Sequence, residues 1–122
     1  MKINWADHQV LPAEGIALSR RLALGQEISC LQVVAAHSGR LNLTPHWHSN
    51  EQWVIVTSGS VSFVCDDNEY ELFAGDIAYI PIGQPHTATT VGEAGATLLE
   101  LSAPPRLDLV PGSLVPSSMR SR

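Results

Sequence analysis

His46-Trp47-His48-Ser49-Asn50-Glu51-Gln52-Trp53-Val54-Ile55-Val56-Thr57-Ser58-Gly59 reads as two extended segments separated by a short polar turn. Alternate side chains of a strand share a face, so His46 and His48 present both imidazoles to one side while Trp47 faces the other. Gln52 opens the apolar run Trp53-Val54-Ile55-Val56 across the turn, and the same alternation sends Glu51 to the opposite face. Two ring nitrogens and an amide oxygen are thereby aligned as candidate metal ligands. A further imidazole, His86, follows the stiff Pro81-Ile82-Gly83-Gln84-Pro85 loop, whose prolines hold the backbone out of a ladder and can carry a distant strand back to the same place.

Outward from this stretch, helical periodicity is scarce and short β-rich runs recur. Strands are expected at Ile16–Leu22, Glu27–Ala36, Leu41–His46, Gln52–Thr57, Val61–Cys65, Glu69–Phe73, Ile77–Ile80, His86–Val91 and Thr97–Ser102. Ser58-Gly59-Ser60 and Asp66-Asp67-Asn68 read as hairpin turns, and Ala74-Gly75-Asp76 as a tight corner. The fold class is all-β: a single-domain antiparallel barrel or jelly roll, which manages its free edges. Residues 1–15 read as an irregular amino-terminal arm, 16–110 as the barrel, and 111–122, with Pro111, Gly112 and Pro116 among serines, as a flexible tail.

The chain has 122 residues, enough for one domain with a real core, with 44% hydrophobic and 16% charged residues. Seven Lys and Arg against twelve Asp and Glu leave a net charge of -5, which provides no footprint for nucleic acid or an anionic membrane. Arg20-Arg21 reads as a pair of solvated charges. Cys30 and Cys65 lack motif spacing and read as reduced small hydrophobes. No secretory leader or membrane span is expected, which points to the cytoplasm. The arm, together with Trp47 and Trp53, predicts a homodimer. His8 and His37 have no ligand-spaced partner and read as ordinary histidines for metal purposes.

The spacings Gly39, six residues, His46-x-His48, three residues, Gln52, six residues, Gly59, then Gly75, five residues, Pro81-x-Gly83, two residues, His86 resemble the two motifs of the cupin superfamily. The resemblance implies a single barrel in which His46, His48, Gln52 and His86 hold one divalent ion; zinc is the first choice, with nickel, iron, manganese or copper as alternatives. Gln52 stands where the family usually has Glu, and Thr90 where it usually has Asn. Four neutral ligands leave the ion its full charge, which favours Lewis-acid over redox chemistry on a small oxygenated substrate.

Within cupins, such a ligand set resembles that of single-domain aromatic polyketide cyclases, which implies aldol ring closure of a poly-β-ketone. The segment Leu99-Glu100-Leu101-Ser102-Ala103-Pro104-Pro105-Arg106-Leu107-Asp108 is similar to the carboxy-terminal part of cupins that open unsaturated uronates, the second reading. A cupin dioxygenase and a non-catalytic small-molecule-binding cupin complete the alternatives. Candidate proton carriers are Glu100, His37 and Tyr79. Arg106 is a candidate carboxylate anchor on the uronate reading and otherwise ties the tail to the barrel.

Overall fold

The computed structural model describes residues 1–12, 18–111 and 119–121, the last three as backbone. Among the described residues, nine strands form one antiparallel system: β1 (Ser19–Leu24), β2 (Ser29–Ala35), β3 (Gly39–Arg40), β4 (His46–His48), β5 (Glu51–Cys65), β6 (Asn68–Phe73), β7 (Ile77–Ile80), β8 (His86–Ala103) and β9 (Met119–Ser121). Hydrogen bonding runs β1-β2-β8-β4-β9, with β5 between β8 and both β6 and β7. This is the jelly-roll barrel expected from the sequence, and the described residues contain no α-helix.

Two long strands carry the architecture. The first part of β5 (Gln52–Ile55) lies between β7 and the end of β8; its second part (Val61–Cys65) lies between β6 and the start of β8. The expected hairpin at Ser58-Gly59-Ser60 is therefore absent, and β5 runs through it with register shifts between Val56 and Ser58 and between Gly59 and Val61. Such bulges bend a strand without ending it. Gly59 has a φ of +69°, and a Cβ there would lie 1.9 Å from the Gly95 carbonyl oxygen. The bulge therefore needs glycine. The gap expected between His86–Val91 and Thr97–Ser102 closes for the same reason, because β8 bends alongside β5.

The other turns follow their chemistry. Cys65 pairs with Asn68 across a two-residue turn, with Asp66 at a φ of 51°, a conformation Asp tolerates. At the Ala74–Asp76 corner the Asp76 carboxylate accepts from Phe73 N–H at 2.8 Å. Leu41–Pro45 is not a strand: only Leu41 N–H reaches β8, at Thr89 O, 2.8 Å away, and Pro45 has no donor to give. The first strand begins at Ser19; Ile16 and Ala17 lie outside the described residues. Residues 112–118 and 122 of the expected tail do so too, while Met119–Ser121 pair with β4, an element that the tail reading does not include.

The core lines the inside of the barrel. Along β2 the buried positions are Ser29, Leu31, Val33 and Ala35, and along the start of β5 they are Gln52, Val54 and Val56. Gln52 thus shares the core-facing register with two valines, which alternation fixes once that face is buried. The described part of the arm folds onto its own β1: Leu11 is buried, its N–H donates to Arg20 O at 2.8 Å, and Arg21 Nε donates to His8 O at 3.1 Å.

Candidate metal centre

His46 and His86 are directly opposed partners on β4 and β8, their ring centroids 4.5 Å apart, and the His48 ring lies 4.9 Å from that of His86. One ligand atom from each of the three lies within 4.8 Å of the others. The proline loop brings His86 there as expected. Gly83 N–H donates to His48 O at 2.9 Å, and Asp66 N–H donates to Pro85 O at 2.9 Å, so the loop is tied both to β4 and to the β5–β6 turn.

The hydrogen bonds fix where the protons are. His86 Nδ1 lies 2.9 Å from Gln84 O, and His48 Nδ1 lies 2.9 Å from Asn50 O. A carbonyl accepts only, so both Nδ1 atoms carry the proton, and each neutral ring leaves Nε2 as a bare lone pair. His86 Nε2 is buried without a partner. His48 Nε2 faces Gln52 Oε1 at 2.9 Å.

The amide is oriented by its other end, because Gln52 Nε2 donates to Glu100 Oε1 at 2.7 Å. Its oxygen therefore points at the histidines, and lone pair meets lone pair. Doubly protonating His48 would relieve that contact, but burial foremost, and the Arg106 charge next, hold its pKa below the ordinary value. Burial likewise lowers His46, and pushes His86 down to about 4. Two buried imidazoles, His48 and His86, whose Nε2 lone pairs share no proton, with the half-buried His46 beside them, fit a cation.

Asn50, not anticipated as a site residue, braces this arrangement. It is buried and its Nδ2 donates to Pro104 O at 2.6 Å, which pins the β4–β5 turn against the end of β8. No pattern in the sequence singles out that pairing across the barrel.

The remaining sequence candidates separate. Glu100 and Arg106 line a cavity of about 320 Å³ together with His46, Gln52 and His86, among Leu31, Val33, Phe63 and Leu98. Burial raises the Glu100 pKa, against the opposing pull of Arg106, Arg20 and the Gln52 amide. Arg106 is buried; its guanidinium grips Asp108 at 2.9 and 3.0 Å within the segment after β8, and its backbone N–H, donating to Ser29 Oγ at 3.0 Å, joins that segment to β2.

His37 and Tyr79 do not reach the cavity. His37 is exposed beyond β2, and Tyr79 stands on the outer face, 46% exposed, with its ring 4.7 Å from that of Trp53. Alternation placed Ala78 and Ile80, not Tyr79, toward the interior. Trp53 is 44% exposed on the same outer face. Arg20, expected among solvated charges, lines the cavity; its pairing with Val33 puts it on the core side of β1.

A family model for the cupin domain matches residues 32–102, more than half of the chain. The chain is a cupin. Among curated proteins it is similar to the alginate biosynthesis protein AlgA of Pseudomonas aeruginosa, 28% identical over 80 residues that make up 66% of this chain and 16% of that protein. This cupin thus spans about one sixth of the length of that relative. Among solved structures, KdgF from a Halomonas species superposes with a TM-score of 0.74 at 22% identity, covering 88% of this chain and 96% of that one. Oxalate decarboxylase from Bacillus subtilis superposes with a TM-score of 0.76 at 19% identity, covering 99% of this chain and 31% of that one. At these identities the shared property is the fold; the Bacillus protein has Mn(II) centres. No helix among the described residues is long and apolar enough to cross a membrane.

Proposed function

We propose that this cupin is a metal-dependent enzyme that moves a proton beside a carbonyl of a small oxygenated substrate, and that its reaction is aldol-type ring closure of an aromatic polyketide chain. The reading rests on one observation: Glu100 shares the cavity with His46 and His86 and is linked to His48 through Gln52. His46, His48, His86 and Gln52 would hold a divalent ion, and with four neutral ligands that ion would supply Lewis acidity undiminished by ligand charge.

The chain's own residues do the rest. Glu100 Oε1 accepts from Gln52, which leaves Oε2 to take the proton from carbon and return it. Burial raises the pKa of Glu100, which makes it a stronger proton acceptor than an exposed carboxylate. Leu31, Val33, Phe63 and Leu98 exclude water around the reacting carbons, and about 320 Å³ lies at the small end of ligand cavities. That size, and Arg106 in the wall, favour the second reading, ring opening of an unsaturated uronate.

Metal-loaded protein is to be assayed on a synthetic linear tetraketide, followed by the absorption of its aromatic product, and on an unsaturated uronate monomer, followed by loss of its double bond. One of the two is turned over, and Glu100→Gln slows it by roughly 10²-fold or more. Turnover of neither substrate, or equal rates for the variant, contradicts the reading.

A further inference from the structure

The cavity holds three charged side chains, and two of them are answered. Arg106 is gripped by Asp108, and Glu100 accepts the Gln52 amide. Arg20 is the third. Its Nη2 donates to Pro12 O at 2.9 Å, on the exposed side where the arm crosses β1. Its Nε–H is buried with no acceptor, and among the described residues no carboxylate is ion-paired to it. A buried guanidinium donor without an acceptor is costly, and Arg20 sits in the wall of a chamber lined mostly by apolar side chains.

We infer that Arg20 is a specificity residue: its guanidinium receives the carboxylate of the substrate, which is therefore a short free acid carrying a second oxygen function for the histidine end of the cavity. The register supports two separated ends. Arg20 lies opposite Val33, which lies opposite Leu98, whereas Gln52 lies opposite Ser102, two layers further along β8. An arginine suits this role because its planar donors match a carboxylate and it keeps its charge when buried. A merely structural Arg20 would tie down the arm through Pro12 and be indifferent to what the cavity holds.

The inference rests on the reading of the cavity as a substrate site, yet it is tested without turnover. Levulinate and its uncharged amide, levulinamide, are titrated calorimetrically into zinc-loaded wild-type protein, Arg20→Gln, Arg20→Lys and, as a chain deprived of its metal site, His86→Ala. Wild-type protein prefers the carboxylate by about tenfold or more; Arg20→Gln loses that preference, Arg20→Lys keeps part of it, and His86→Ala retains it. Thermal melting of each variant separates loss of folding from loss of preference, and Arg20→Lys, which keeps the charge, reads the subsite even if Arg20→Gln unfolds. An unchanged preference in Arg20→Gln, a preference that vanishes in His86→Ala alone, or no binding of either compound by wild-type protein overturns the inference. Failure to bind zinc, by contrast, would count against the metal reading and leave the carboxylate preference measurable.

Discussion

Gln52 donates its amide N–H to Glu100 Oε1 at 2.7 Å, and this single contact turns its oxygen toward His48 Nε2, 2.9 Å away. Gln52 is thus both the orienting neighbour of the proposed proton carrier and the fourth donor of the proposed metal set. Glutamate, the usual cupin residue there, could not donate to Glu100 in its ionised form.

Gln52→Glu therefore places two carboxylates in contact, and one of them must take up a proton. We expect the variant to bind a divalent ion and to lose at least about tenfold in turnover, roughly 1.4 kcal/mol in the barrier. Metal content by elemental analysis and a steady-state assay check this; unchanged turnover would remove the argument from neutral ligands.

Acid should loosen the metal-free protein through its histidines. The His86 pKa falls from 6.5 to about 4 on folding, so between those values the unfolded chain binds the extra proton and stability declines as the pH drops. The loss is absent above about pH 6.5 and complete below about pH 4, worth about 3 kcal/mol from this group. His46 and His48 shift in the same direction and add to it. Urea midpoints of metal-free protein from pH 7 to 4 should fall accordingly, with a shallower slope in His86→Asn.

Much of this was legible in the sequence because the site lies on strands. Alternation alone put His46 with His48, and Gln52 on the core side with Glu51 turned off it, as the structure has them. Proline and glycine spacing brought His86 to the same point. The misread corner has a local cause: a bulge and a turn use the same residues. Ser58-Gly59-Ser60 has turn composition, and only the approach of Gly95 across the barrel makes it a bend in a continuing strand. The faces of Tyr79 and Arg20 required strand registers that no local pattern displays. Asn50 acts through Pro104, a pairing of residues far apart in the chain.

The bend itself is testable. Gly59→Ala combines a positive φ with a Cβ 1.9 Å from the Gly95 oxygen, so β5 and β8 must separate at the corner. We expect a loss of several kcal/mol or failure to fold, measured by thermal melting. A variant as stable as wild type would contradict the described corner.

Outer residues Trp53, Tyr79 and Ile77 are all about half exposed and sit on adjacent strands β5 and β7. Apolar surface of this kind favours association, and we propose that two copies pair through it. Light scattering should give twice the 13.2 kDa chain mass, and Trp53→Lys with Tyr79→Lys should return the monomer. A wild-type monomer would dispose of the pairing.

The most direct test of the central claim is elemental analysis of protein reconstituted with zinc and freed of excess. The arrangement of bare nitrogens around His46, His48 and His86 predicts about one equivalent per chain in wild type and little in His86→Ala. Wild-type protein that holds no metal after reconstitution would contradict it.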